Sequence, residues 1–415
     1  MTGQVGAAVV GRMVWACREP VSALIALTIA ALAPSPLARL AAVTLATAAA
    51  ALTWHHAPHL AERTRRLRVR VRAARVLART GLYTDDAEAY RSLRVRPGAQ
   101  HPGVYTVTAR IPAGKRDADL HSTADALAVH LRAHAVYPHL VGPRDGRARC
   151  LVVLTDPLRH PIPPPTTQPA RPGWLTVPLG LDPTGHQVTL DLVRPRRGGQ
   201  HVLICGTTGS GKNSAVRRVI ESARTHDTTL LLIDPKATEM ARYRDDAAAY
   251  AVAATDAVDL LAGAVDLMRE RQSRLADDGR SVWDLERDGP ACLVVVDELS
   301  VLTSACTDRR LRAEAEAHLH DLAARGRSVA LGLLLVSQSP LADTIPSAIR
   351  SLVGYRLALA VADPSTAEIA LPGVTTIAPV LSPHRIRDTP GLGTLSGPSV
   401  PDGYVRLRIY HDEDE

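Results

Sequence analysis

Phenylalanine is missing from all 415 residues, and aromatic side chains together make up only 3% of the chain. Aliphatic packing of Ala, Val and Leu, not ring stacking, must therefore build the core. Cysteine is sparse as well. Cys17, Cys150, Cys205, Cys292 and Cys306 are odd in number, scattered, and form no C-x-x-C pair. That spacing excludes a disulfide framework and a cysteine-type zinc site, and it reads as reduced thiols of a cytosolic body. No internal repeat is present. What the chain does have is positive charge, +7 in net formal terms with a pI near 9.4. A basic balance suits an anionic partner, either nucleic acid or a membrane surface.

The N-terminus is unlike the rest. From Val21 to Trp54 the sequence is almost wholly apolar, broken by Pro34-Ser35-Pro36 and Arg39. One helix of that length would run about 50 Å, far beyond a hydrocarbon core of about 30 Å. Two spans turning at the Pro-Ser-Pro break fit better than one span or a cleaved signal peptide. Arg12 and Arg18 precede the first span, and Arg63, Arg65, Arg66, Arg68, Arg70, Arg72, Arg75 and Arg79 follow the second. The positive-inside rule then places both ends in the cytoplasm. The arginine run is expected to face anionic headgroups, with contact to DNA as the alternative. His55, His56 and His59 sit at the membrane exit and read as interfacial residues, without the partners a metal site requires.

Residues 83 to about 157 read as a small α/β unit. Val104–Val107 alternates as a strand, Asp119–His134 has helical spacing, and Cys150–Leu154 is a buried strand. The run Pro161-Ile162-Pro163-Pro164-Pro165 can form neither helix nor central strand and marks a linker. The expected organisation is a membrane anchor of two transmembrane helices (1–60), a basic juxtamembrane segment (61–82), a small α/β domain (83–160), a linker (161–174) and an ATPase motor (175–415). This predicts a multi-pass protein of the cell membrane with its ATPase domain in the cytoplasm.

Beyond the linker, strands and helices alternate, which implies a parallel sheet with helices on its faces. His201–Cys205 reads as a buried strand, and apolar positions at helical spacing begin near Lys212. Between them lie Gly206, Thr207, Thr208, Gly209, Ser210, Gly211 and Lys212, the pattern of a phosphate-binding loop. Glycines let backbone N–H groups converge on phosphates, the helix N-terminus adds positive potential, and Lys212 reaches the outer oxygens. One position departs from the pattern. The hydroxyl that should follow the lysine and ligate Mg²⁺ is replaced by Asn213, with Ser214 next. An amide oxygen is an acceptable hard ligand of longer reach, and Ser214 substitutes only if the first helical turn shifts. Nucleotide binding is thus better supported than fast hydrolysis.

About 85 residues downstream, Cys292–Val296 forms a run of apolar residues ending at Asp297 and Glu298. A central parallel strand delivers its carboxylates at its C-terminal end, where ligands bind in such sheets. Asp297 is expected to hold Mg²⁺ and Glu298 to polarise the attacking water. Leu331–Val336 leads to Gln338, placed to sense a terminal phosphate, and Tyr355–Val361 reads as a further strand. The helix between them carries Leu311, Ala315, Leu319 and Leu322 on one face and ends at Arg325-Gly326-Arg327, where the glycine is expected to cap it.

In their order these motifs resemble the FtsK/SpoIIIE family of DNA translocases, particularly its conjugative-plasmid transfer branch. Pro178–Asp182 with Gly185 and Val188 is similar to the hairpin ahead of the family's first motor strand. Gly206–Lys212 matches its P-loop, and Ile233-Asp234-Pro235-Lys236 with Glu239 and Tyr243 resembles its second-strand motif. Met268–Arg271, Val296–Glu298 and Gly326–Gln338 follow in family order, with Ser339 where the family has an arginine. The resemblance covers roughly residues 175 to 412. It implies a RecA-like P-loop NTPase motor using ATP and Mg²⁺, assembled as a homohexamer on double-stranded DNA. It also implies that a neighbouring subunit supplies an arginine in trans, for which Arg327 and Arg356 are the candidates. Other conjugation proteins are further expected partners. The alternatives are a protein-export ATPase of the type VII secretion kind and a nucleotide-binding assembly subunit with weak turnover.

Overall fold

The computed structural model describes residues 59, 61–98, 101–139, 146–165, 171–341, 344–400 and 403–411. The two expected membrane spans lie outside the described residues. Among the described residues no helix is long and apolar enough to cross a membrane. The chain divides into two compact units, the first drawn mainly from residues up to 154 and the second mainly from residue 155 onward.

The first unit begins with a helix over residues 61–79, a stretch without Gly or Pro. The helix stops at Gly81, whose φ of 76° suits a C-terminal glycine, and Leu82 N–H returns to Leu77 O at 3.0 Å. Val69, Ala73, Val76 and Leu77 recur at helical spacing and are buried. Glu62 accepts from the Tyr105 hydroxyl at 3.1 Å. The Arg70 guanidinium donates to Tyr90 O at 2.7 Å and lies 4.0 Å over the Tyr90 ring. The arginine-rich segment, expected as a juxtamembrane element of its own, thus contributes one face to the core of this unit.

The unit's sheet is four-stranded in the order β1-β2-β4-β3, comprising β1 (Leu93–Pro97), β2 (Val104–Arg110), β3 (Ala135–His139) and β4 (Arg147–Val153). β2 pairs antiparallel with both β1 and β4. The single helix expected over Asp119–His134 is instead two, Asp117–His121 and Ala124–Leu131. The hydroxyls of Ser122 and Thr123 bond back to Asp119 O and Leu120 O, which breaks the run locally.

The second unit is organised on an eleven-stranded sheet in the order β10-β9-β11-β12-β8-β13-β14-β15-β5-β6-β7. Its strands are β5 (Leu175–Leu181), β6 (Gln187–Arg194), β7 (Gly198–Gly199), β8 (Val202–Cys205), β9 (Thr229–Ile233), β10 (Ala249–Ala251), β11 (Cys292–Val296), β12 (Leu331–Ser337), β13 (Tyr355–Ala358), β14 (Leu392–Ser396) and β15 (Val405–Ile409). From β10 to β13 every pairing is parallel, and from β13 through β15, β5 and β6 to β7 every pairing is antiparallel. The strands at the parallel centre, β8, β11 and β12, are buried at every residue, as strands covered on both faces must be. Helices Lys212–Thr225, Ala254–Asp277 and Arg309–Arg325 contribute apolar stripes to the same core.

Two details fix this sheet. His201, fully buried ahead of β8, faces Ala323 O through Nε2 at 3.0 Å, while its Nδ1 accepts from Leu333 N–H at 3.0 Å. Those partners require a neutral ring protonated on Nε2, and burial pushes its pKa down to about 4. At Gly180 the β5 backbone passes so near β15 that a Cβ would lie 1.9 Å from Arg408 O. Gly326 caps its helix as expected, its N–H donating to Leu322 O from a right-handed conformation (φ −64°), and its missing side chain makes room for Leu331, whose O would lie 3.1 Å from a Cβ.

The proline run also behaves differently from a free linker. Ile162 forms a parallel bridge with Tyr410, and His411 N–H donates to Ile162 O at 2.9 Å. Pairing to the end of β15 satisfies the backbone that prolines would otherwise leave open.

Candidate functional site: a phosphate loop and its carboxylates

The parallel registers bring four strand ends to one edge of the sheet. Cys205 pairs with Ser337, and Val296 pairs with both Leu335 and Ile233. The residues that follow these strands, Gly206, Gln338, Asp297 and Asp234, therefore leave the sheet side by side. This is the carboxyl-end crevice where α/β sheets hold ligands.

The loop from Gly206 to Gly211 is pinned on both sides. Thr207 N–H donates to Ala360 O at 2.9 Å, and Gly391 N–H donates to Ser210 O at 2.8 Å. Gly209 and Gly211 take φ of 73° and 97°, and a Cβ on Gly211 would meet Gly391 N at 2.5 Å. Lys212 opens the helix, and its Nζ donates to Gly206 O at 2.7 Å and Thr207 O at 3.0 Å. Its ammonium is thus tethered over the loop. Burial, the largest influence, lowers its pKa, with Glu298 and Asp297 opposing.

Thr208 Oγ1 donates to Gln338 Oε1 at 3.3 Å, so the loop and the end of β12 are joined as the sequence suggests. The acidic pair occupies the neighbouring strand end. Asp297 is 5% exposed, and burial raises its pKa to about 6. Its Oδ2 is buried without a hydrogen bond, and the nearest cation, Lys236 Nζ, lies 3.7 Å away. Glu298 is turned aside, accepting from Ser300 Oγ at 2.9 Å and capping the short turn Leu299–Leu302. Asn213 Nδ2 donates to Glu239, which also pairs with Lys236 at 3.6 Å. Ser214 is held apart from this network, with Oγ 3.5 Å from His411 Nδ1.

The trans candidates are elsewhere. Arg327 precedes β12, so a seven-residue strand of roughly 23 Å separates it from the loop edge. Its Nε donates to Gly199 O at 3.2 Å. Arg356 is half-buried near the start of β13, and its Nη2 donates to Arg350 O at 2.6 Å. Neither hydrogen-bonds to the phosphate loop of its own chain.

Beside the loop lies a cleft of about 620 Å³ bounded by Lys212, Arg217, Pro390, Gly391, Arg408 and His411, among others. No carboxylate lines it, and Lys212, Arg217 and Arg408 give it cationic side chains, a lining that suits a polyanion. Arg408 is 6% exposed, and its Nη1 donates to Leu158 O at 3.3 Å. The sequence reading gave no role to Lys236, Gly391, Arg408 or His411. Pro390-Gly391 carried a turn signal, but nothing local announced that this turn would support the phosphate loop.

Mg²⁺ is the metal such a loop implies. The orphaned Asp297 Oδ2 and the amide oxygen of Asn213 fit a hard cation carried in with phosphates. Among the described residues no group of three or more His, Cys, Asp or Glu side chains forms a metal cage by itself. The described cysteines are all free thiols, with Cys150, Cys205 and Cys292 buried.

A phosphate loop on a central parallel strand, facing a carboxylate pair two strands away, defines a P-loop nucleotide-binding domain. Residues 165–376, just over half the chain, match the FtsK/SpoIIIE family, and the chain belongs to that family. Among curated relatives, DNA translocase SftA of Bacillus subtilis is 30% identical over 206 residues, covering 45% of this chain and 20% of the relative. DNA translocase FtsK of Caldanaerobacter subterraneus is 31% identical over 202 residues, covering 45% of this chain and 27% of the relative. The match to both thus spans less than a third of their length. In fold, the chain is similar to the conjugation coupling protein TcpA of pCW3, solved with ATPγS. The TM-score is 0.56 at 18% identity, over 83% of this chain and 95% of that one.

Proposed function

We propose that this protein is an ATP-driven translocase of double-stranded DNA that works in conjugative plasmid transfer. In this reading it is held at the cell membrane by residues 1–60, keeps its ATPase domain in the cytoplasm and assembles as a homohexamer. The observation that carries the proposal is the pinned phosphate loop beside Asp297 and Glu298, in a chain of the FtsK/SpoIIIE family. Fold likeness to a conjugation coupling protein over most of both chains supports the transfer role. The apolar run Val21–Trp54 supports the membrane anchor.

The residues suggest how hydrolysis proceeds. Loop N–H groups and Lys212 bind the β and γ phosphates, which fill the space the ammonium now shares with two carbonyls. Asp297 and Asn213 would hold Mg²⁺, which would supply positive charge against that of the phosphates. Glu298 orients the attacking water once it leaves Ser300. Gln338, already bonded to Thr208, reports the γ phosphate to β12. An arginine of a neighbouring subunit, Arg327 or Arg356, completes the charge stabilisation. Both hydrogen-bond away from their own loop, as residues serving a neighbour's site would.

The test is ATP hydrolysis by the full chain with and without duplex DNA. A several-fold stimulation is expected. Hydrolysis indifferent to duplex would sink the translocase reading, and no hydrolysis would leave a nucleotide-binding subunit.

A further inference from the structure

The helix over residues 61–79 has a second face that its own core does not use. Arg65, Arg68, Arg72, Arg75 and Arg79 are all exposed and follow one another at steps of three, four, three and four residues. At that spacing they form one straight stripe about 21 Å long. Among the described residues none of the five has a hydrogen bond or a carboxylate partner. The unit's nearest acid on this helix, Glu62, is occupied by Arg66 at 3.9 Å and by Tyr105.

The stripe borders two grooves. In one, of about 290 Å³, Arg72, Arg75 and Arg79 meet His130 and Arg132 across Val76. In the other, of about 180 Å³, Arg65, Arg68 and Arg72 line an aliphatic floor of Val69, Leu131 and Leu154. Arg132 is exposed and held at φ 52° at the end of helix Ala124–Leu131. Neither groove is lined by an acid or by Phe, Tyr or Trp.

These features select the partner. A helix that settles on a lipid surface does so through its apolar face, but here Val69, Ala73, Val76 and Leu77 are committed to the core. A groove with cationic side chains along its borders suits a ridge of phosphates better than a plane of headgroups. Guanidinium groups pair phosphodiester oxygens two at a time. Without a Phe, Tyr or Trp platform for unstacked bases, the surface suits a duplex backbone over a single strand. At about 3.4 Å of helix axis per phosphate, a stripe of about 21 Å spans roughly six phosphate intervals of one strand.

We propose that the arginine stripe of residues 65–79, with His130 and Arg132, is a sequence-independent track for the backbone of duplex DNA. It is additional to any contacts made by the motor, and it rests on the reading that this chain handles DNA. Affinity through such a track comes from counterion release, with about 0.9 of a salt-slope unit lost per phosphate contact removed.

The experiment compares the full chain with a variant carrying Arg65→Gln, Arg68→Gln, Arg72→Gln, Arg75→Gln and Arg79→Gln, and with the corresponding five-lysine variant. Binding of a short random-sequence duplex is measured across about 50 to 200 mM salt. The glutamine variant should bind at least about tenfold more weakly, with a salt slope smaller by roughly three to five. The lysine variant should keep most of the slope. Arginine-directed modification of the wild-type chain should show the five residues protected by duplex. Equal affinity and slope in wild type and glutamine variant would overturn the track while leaving the translocase reading intact. A wild type that binds no duplex would overturn both. Protection by nanodiscs containing phosphatidylserine, but not by duplex, would assign the stripe to lipid instead.

Discussion

Replacing Asp297 by asparagine should make the nucleotide-free protein more stable at alkaline pH and not at acid pH. The carboxylate is 5% exposed, and burial lifts its pKa from 3.8 to about 6 against the pull of Lys236. A carboxyl whose pKa is higher folded than unfolded contributes stability that is fully present below 3.8 and is lost as pH rises through 6. Two pKa units correspond to about 3 kcal/mol between those limits. Asparagine keeps the shape and one oxygen but never ionises, so its gain at pH 8 is up to about 3 kcal/mol. For a unit of this size that raises the apparent melting temperature by roughly 6 to 12 °C. The assay is thermal unfolding of the full chain, free of nucleotide and divalent cation, at pH 8 and again near pH 4. A gain at pH 8 that vanishes near pH 4, with ATP hydrolysis abolished, is the expected result. An equal shift at both values, or none at pH 8, would refute the view that the site stores an ionised carboxylate at the expense of stability.

Other substitutions probe the surrounding parts. Asn213→Ser removes the amide that holds Glu239 and restores a hydroxyl ligand, so turnover of ATP should rise several-fold; an unchanged rate would show that Asn213 does not limit it. Gly211→Ala brings a Cβ within 2.5 Å of Gly391 N at a φ of 97°. That variant should lose nucleotide binding and about 1–3 kcal/mol of stability, as read by fluorescent-nucleotide titration and melting. His201→Ala orphans Leu333 N–H and Ala323 O and leaves a cavity, costing roughly 2–5 kcal/mol in chemical denaturation. In the wild type this histidine, with pKa lowered from 6.5 to about 4, contributes stability present above 6.5 and lost as pH falls through 4. The variant should therefore lose part of the wild type's stability change across that interval.

The motor's centre was legible because its signals are local. β8, β11 and β12 announce themselves as short apolar runs, and Gly206–Lys212 sits where the strand-to-helix change occurs. Contacts that close over long sequence distances were not legible. Ser210 is braced by Gly391, Ile162 pairs with Tyr410, and Arg408 reaches the cleft from the last strand. No spacing rule connects such positions. The division of labour on the first helix was half legible. Its charge is obvious, yet the burial of Val69, Ala73, Val76 and Leu77 depends on a sheet formed much later in the chain. At Ser122-Thr123 hydroxyls competing for backbone carbonyls overrode a helical pattern, and at Gly326 crowding, not handedness, explains the glycine.

The contact between Gly211 and Gly391 carries a consequence for how the sequence can drift. Gly211 is doubly constrained, by its left-handed backbone and by the Gly391 amide, so no other amino acid can be inherited there without moving a strand-linked loop. Gly391 shares the left-handed backbone, with a φ of 79°, but a Cβ there would meet nothing nearer than Arg408 Nε at 3.8 Å. Asparagine or aspartate, which tolerate that backbone, can therefore replace it. Of two glycines in mutual contact, one is frozen and the other admits only residues that tolerate a left-handed backbone, so a lineage can retune the rim of its nucleotide cleft only from the Gly391 side.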